Sequence, residues 1–143
     1  MNDRSILHPL CAMVALTCIV WFWMAVRRVS ALKKHRIHPQ RLASGTDAEA
    51  EKVLAQSADQ NDNLENLFEL PVLFYVAAIV IFVTQATDTF YVGLAWGFVF
   101  FRAVHSWIHC TSNRVYRRAQ AYGVASLILW IMWARLTWQL IQS

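Results

Sequence analysis

Four apolar runs in this chain are long enough to cross a bilayer, and what remains is too polar and too short to build a separate core. Leu10–Val26 and Leu70–Ala86 contain no charged residue. Phe90–Phe101 continues past Arg102 to Ile108, and Ala119–Ile141 is broken by Arg135. A hydrocarbon layer about 30 Å thick takes roughly 17–25 helical residues. Barrel strands would be about 10 residues long and would alternate in polarity, which these runs do not. Helices also satisfy every backbone N–H and C=O internally, as lipid requires. Composition agrees: 57% of the 143 residues are hydrophobic and 15% are charged, against about 45–50% and about 25% in soluble domains. A disordered chain, a disulfide scaffold and a soluble enzyme are thereby excluded. The predicted fold class is an all-α membrane protein. It is a single four-helix domain with spans at about 7–28, 66–86, 90–109 and 118–141.

The sparse charge sets the orientation. Arg27, Arg28, Lys33, Lys34, Arg36, Arg41 and Lys52 lie between the first and second runs, and Arg114, Arg117 and Arg118 lie between the third and fourth. That is ten of the 13 Lys and Arg. The positive-inside rule places both loops in the cytoplasm and both termini outside. The net charge of +4 is therefore a topology signal. Nucleic-acid binding is disfavoured, because the basic cluster abuts a span and no reading module accompanies it. Only Arg4 precedes the first run and no Ala-x-Ala site follows it, so the run reads as a retained span. Trp21, Trp23, Trp107 and Trp138 fall near span ends, where aromatic belts lie. Trp96, Trp130 and Trp133 fall deeper and are expected to pack. Arg135 is expected to snorkel outward rather than pair inside the bundle.

Thr87, Asp88 and Thr89 predict a tight hairpin between spans two and three. Gly93 and Gly97 form a small-x-x-x-small face suited either to an oligomer contact or to packing within the chain. In the loop at 29–65, Thr46 followed by Glu49 is a capping-box pattern, and a short helix is expected at about 47–57. Span two is expected to begin before its apolar run, carrying Asn66 and Glu69 on one helical face. Cys11 and Cys18 are about 10 Å apart along one helix, too far to bridge. Cys110 is expected at the opposite face, so no disulfide is predicted.

Polar and ionisable residues concentrate at one membrane depth. Arg27 and Arg28 end span one, Asn66 and Glu69 begin span two, and Arg102, His105 and His109 lie near the end of span three. Arg117, Arg118 and Tyr122 begin span four. Ionisable residues at membrane depth are costly and mark functional sites by default. The bland alternative is a network that fixes helix register. Glu69 and Arg102 are expected to neutralise one another. His105 and His109 share a face, as do Glu65 and Glu69. No Glu-x-x-His motif is present, so they read as a hydrogen-bond network and no metal site is assigned. An arginine cluster suits an anionic ligand and can lower a thiol pKa.

These residues resemble those of the MAPEG family, the membrane-associated proteins of eicosanoid and glutathione metabolism. Asn66-Leu-Phe-Glu69-Leu-Pro71-Val-Leu-Phe-Tyr75 is similar to the family's Asn-x-x-Glu followed by Pro. Arg102-Ala-Val-His105 is similar to its Arg-x-x-His/Tyr, and Asn113, Arg117 and Arg118 fall where its last loop and helix carry an arginine. The pattern looks most like the bacterial members, which implies an inner-membrane location. The resemblance implies a left-handed four-helix bundle assembled as a homotrimer, with ligand sites between subunits facing the cytoplasm. It implies glutathione as the cofactor, held by Arg28, Asn66, Glu69, Arg102, His105, His109 and Tyr122. Arg117 or Arg118 would activate its thiol. Asp59 and Asp62 stand seven and four residues before Asn66, where enzymatic members carry arginines. That reversal weakens recognition of an anionic peptide wherever those side chains face the site.

Two functions follow. One is a thiol-dependent transferase or peroxidase acting on lipophilic small molecules. The other is a non-catalytic module that binds membrane lipid or a partner, since fold does not dictate function. A transporter is disfavoured by the absence of paired broken helices and of charge at the bilayer middle.

Overall fold

The computed structural model describes residues 3–38, 40–41, 47–55 and 58–142. After a 3-10 turn at Asp3–Ile6 come α1 (Leu7–Lys34), α2 (Ala48–Leu54), α3 (Ala58–Asn66), α4 (Leu70–Val83), α5 (Thr89–Cys110) and α6 (Val115–Gln142). The described residues contain no strand. Three helical stretches, Asp3–Lys34, Ala58–Val83 and Val115–Gln142, are long and apolar enough to cross a membrane. The 22-residue α5 would extend about 33 Å. Its polar residues lower its overall apolarity, but Arg102, His105, Ser106 and His109 turn inward and are buried.

The helix ends follow local chemistry. α1 runs on past its apolar stretch because Arg27–Lys34 contains no Gly or Pro, and Lys33 and Lys34 complement the negative end of its dipole. It stops at Arg36, which adopts a left-handed φ of 53°. The Ile37 N–H returns to the Leu32 carbonyl at 3.0 Å and the Arg36 N–H to that of Lys33 at 3.2 Å, a Schellman closure. Ile37 and Leu32 then bury together with Ala31 and Val53. α4 ends the same way at Gln85. The expected capping box at Thr46 lies outside the described residues. Asp47 Oδ1 accepts from the Glu49 N–H at 3.2 Å, ahead of α2.

α5 lies along α6, while α1 and α6 each contact α4. Phe74 of α4 stacks on Phe98 of α5 with centroids 4.6 Å apart. Met13, Val20, Ile81, Leu129 and Met132 complete the core. The outer surfaces of α1, α4, α5 and α6 carry many exposed large apolar side chains, as expected for helices that are apolar all round and meet lipid. Trp133 packs inward and donates to the Leu73 carbonyl at 3.3 Å. Trp96 and Trp130 do not pack as expected. Both are about half exposed, because a lipid-facing surface takes large aromatics as readily as a core does. A Cβ on Gly97 would sit 3.4 Å from Ile128 Cδ1, whereas one on Gly93 would meet nothing. Gly97 thus serves packing within the chain, and Gly93 opens outward.

Two further expectations are corrected. Arg135 pairs rather than snorkelling free: it bonds Asp88 through both terminal guanidinium nitrogens, Nη1 to Oδ1 at 3.0 Å and Nη2 to Oδ2. The short turn at 84–88 brings that carboxylate beside α6. Nor does span two continue as one helix through Asn66 and Glu69. Residues 67–69 form a turn between α3 and α4. The reason is Pro71, which lacks an N–H and whose ring would collide with the Leu67 carbonyl in a continuous helix.

Candidate functional site

The break before Pro71 organises one end of the bundle. The Leu67 and Phe68 N–H groups still close the last turn of α3 onto Asn63, Leu64 and Glu65, but the Asn66 carbonyl is left without a helical partner. The carbonyl of Asn66 instead accepts from Arg102 Nη2 at 2.8 Å. Arg102 is fully buried and caps α3 from across the bundle, at the negative end of the α3 dipole. Its guanidinium lies 5.5 Å from the centre of the Tyr122 ring, within cation–π range. The expected pair with Glu69 does not form. Glu69 is exposed at the start of α4, and the ion pairs found among the described residues are Arg41–Asp47, Arg41–Glu49 and Arg135–Asp88. The helix end, rather than a carboxylate, faces the buried charge.

Below Arg102, α5 presents a buried polar row. His105 Nδ1 lies 3.0 Å from the Arg118 carbonyl, which fixes that ring nitrogen as the donor. The His105 and His109 rings are 5.5 Å apart edge to face, and Tyr122 is 5.7 Å from His105. From α3, Gln60 Nε2 donates to the Cys110 carbonyl at 3.1 Å and Asn63 Nδ2 to Cys110 Sγ at 3.5 Å. Arg102 Nε and Nη1, His105 Nε2 and both His109 nitrogens have no hydrogen-bond partner among the described residues. These unpaired donors and acceptors leave the row incompletely satisfied, a cost that a structure bears only where something offsets it.

Arg118 is held at the edge of this row. Its Nη1 donates to Asn113 Oδ1, and Asn113 Nδ2 donates to Asp59 Oδ1 at 2.7 Å. Asn113 can close the turn because its short polar side chain tolerates a φ of 43°. Asp59, acidic where the resemblance implied an arginine, is therefore the anchor of a basic side chain. Arg117, one residue earlier, is exposed and makes no ion pair among the described residues. Arg28 lines a cavity of about 260 Å³ with Leu54, Ala55, Ala58, Asn61 and Asp62. α3 thus has Arg118 tied to its first turn and Arg28 across a cavity from Asp62. Asn66 is half buried, and its side chain turns back to donate to the Asp62 carbonyl at 2.9 Å.

The site divides into a buried part and a rim. Arg102, His105 and His109 are at most 4% exposed, so they support the site from inside. Arg28, Asn66, Glu69, Arg117, Arg118 and Tyr122 are half buried or exposed, within reach of a ligand outside the chain. Gln60, Asn63 and Ser106 were not anticipated. The signal for the first two was a polar residue at three-residue spacing, continued by Leu67, on one face of a short helix. No group of three or more His, Cys, Asp or Glu side chains converges among the described residues, and Cys11, Cys18 and Cys110 are free thiols.

The MAPEG family model matches residues 6–138. That covers nearly the whole chain, both sides of the Pro71 break and the whole polar row: the chain belongs to the MAPEG family. No curated protein and no solved structure matches it.

Proposed function

We propose that this MAPEG-family membrane protein is a thiol-dependent transferase or peroxidase acting on lipophilic small molecules, with glutathione as its thiol. The observation that carries the reading is the fixing of Arg118. Asn113, itself anchored by Asp59, holds one edge of its guanidinium, its own carbonyl faces His105, and the residue is half buried at the rim. A guanidinium held in place stabilises a thiolate without first losing the entropy of ordering a long side chain. Glutathione carries two carboxylates and one ammonium. Arg28 and Arg117 can take the carboxylates, and Asp62 can take the ammonium, which accommodates acid where a purely cationic site would be expected. The bound tripeptide supplies the nucleophilic sulfur, and the chain supplies charge, orientation and a lipid-facing route for the electrophile. A homotrimer would close each rim with a neighbouring copy, and the basic loops would face the cytoplasm of a bacterial inner membrane.

The test is turnover of a lipophilic electrophile by detergent-purified protein with glutathione. Arg118→Ala is expected to lower kcat/KM by about 100-fold or more, in the range of a lost transition-state donor. Its pH–rate profile should shift to higher pH as the thiol pKa rises. Arg117→Ala should raise KM with little change in kcat. No thiol-dependent turnover, together with no thermal stabilisation by glutathione, would overturn the enzyme reading in favour of a non-catalytic lipid- or partner-binding module.

A further inference from the structure

We infer that the outer face of α1 is a binding site for one anionic phospholipid, independent of the thiol chemistry. Two grooves run along this face and share Trp23 and Val26. The larger one, about 530 Å³, is lined by Cys18, Ile19, Phe22, Trp23 and Val26. The other, about 330 Å³, adds Arg27, Ser30, Ala31 and Lys34. Trp23, Arg27, Ser30 and Lys34 recur at four- and three-residue spacing, so they stand in one line on the helix.

The polarity changes abruptly along that line. From Cys18 to Val26 the lining has no charge, and the segment rises about 12 Å, within the apolar stretch that can cross the membrane. From Arg27 to Lys34 it carries two cations and a hydroxyl, at the depth where headgroups lie. Arg27 and Lys34 are exposed and make no ion pair among the described residues. An acyl chain along the first segment brings its phosphate to the second. Arg27 and Lys34 then supply charge-assisted donors, Ser30 a hydroxyl, and Trp23 an amphipathic ring at the boundary. Basic pockets at span ends recognise lipid headgroups by this arrangement. Two unpaired cations on one face favour a headgroup with net negative charge over a zwitterionic one, whose ammonium they would repel.

The experiment uses the full chain, delipidated in mild detergent and titrated with phosphatidylglycerol or with phosphatidylcholine, each read by native mass spectrometry and by thermal shift. Wild type is expected to prefer phosphatidylglycerol by about tenfold, allowing for screening of two basic contacts. Arg27→Ala/Lys34→Ala should abolish the preference while phosphatidylcholine binding and the helical signal stay unchanged. Val26→Trp, which fills the groove both segments share, should weaken both lipids. Arg36→Ala/Arg114→Ala removes the same number of charges away from the groove and should leave the preference intact. Equal binding of the two lipids by wild type, or equal loss in the two double variants, would overturn the inference. A change in oligomer size in Arg27→Ala/Lys34→Ala would also overturn it, assigning the face to a second copy of the chain.

Discussion

At one end of the bundle Arg135 sits between the Tyr91 and Phe90 rings, 4.3 and 5.0 Å from their centres, and both of its terminal nitrogens reach Asp88. At the other end Arg102 sits against Tyr122, with one nitrogen on a backbone carbonyl and two without a partner among the described residues. Both are arginines of a membrane helix beside aromatic rings. The first is closed: one carboxylate balances its charge, takes a bond from each terminal nitrogen and caps the start of α5, because Asp88 also accepts from the Tyr91 N–H at 2.8 Å. The second is held by the end of a broken helix, and its spare donors lie in the row that contains His105 and His109. A closed ion pair serves the fold alone. An incompletely satisfied arginine beside reachable rim groups is the end of the bundle where the proposed ligand chemistry has groups to use.

The comparison breaks most clearly at Arg102. Arg102→Ala opens a fully buried cavity and orphans the Asn66 carbonyl, and it is expected to cost about 3 kcal/mol. Arg102→Met keeps most of the volume and removes a desolvated charge, so it should recover most of that loss. Thermal unfolding in detergent ranks the two. If Arg102→Met is as damaging as Arg102→Ala, capping of α3 outweighs packing, and the arginine belongs with Arg135 as a structural residue.

How much of this was legible depended on the distance over which each feature is decided. The apolar runs are local, and so was the depth at which Arg102, His105, His109 and Tyr122 coincide. The turn at 67–69 was half legible. Pro71 announced a cost, but the partner of the Asn66 carbonyl left at the break is Arg102, 36 residues away. Arg135 could not be assigned from its neighbours, since its partner lies 47 residues earlier in a turn. Gln60 and Asn63 read as solvated loop residues because α3 is polar overall. Its packing against α1 and α5 turns that face inward.

The Asp88 end should respond less than the Arg102 end. Asp88→Ala removes the α5 cap and the pair together and is expected to cost about 1–2 kcal/mol. Asp88→Asn keeps a capping oxygen and loses the pair, for about 0.5 kcal/mol given its exposure. Acid tests the same contact. The hydrogen bond from Arg135 holds the Asp88 carboxyl below the usual carboxylate range. A carboxyl depressed in the folded state contributes its full stability above its ordinary pKa and loses it as pH falls toward the lower folded value. Between about pH 5 and about pH 3, wild type should therefore lose slightly more thermal stability than Asp88→Asn. Parallel loss in both would show that the pair contributes nothing.

The smallest effect, and the one that separates fold from chemistry at the rim, is expected at Asp59. Asp59→Asn can still accept from Asn113 through its amide oxygen, so the turn survives and stability should change by about 0.5 kcal/mol or less. The substitution removes a negative charge from behind Arg118, whose guanidinium then faces the rim less compensated. If Arg118 stabilises a thiolate, the sulfur becomes more acidic, and the rising limb of the pH–rate profile moves to lower pH by a few tenths of a unit, about the size of a charge change screened at a half-exposed site. Arg118→Ala moves the same limb the other way. Opposite shifts at nearly constant Tm would tie Asp59, Asn113 and Arg118 to the reaction. An unmoved profile would leave them as the clasp that fastens α3 to the turn before α6.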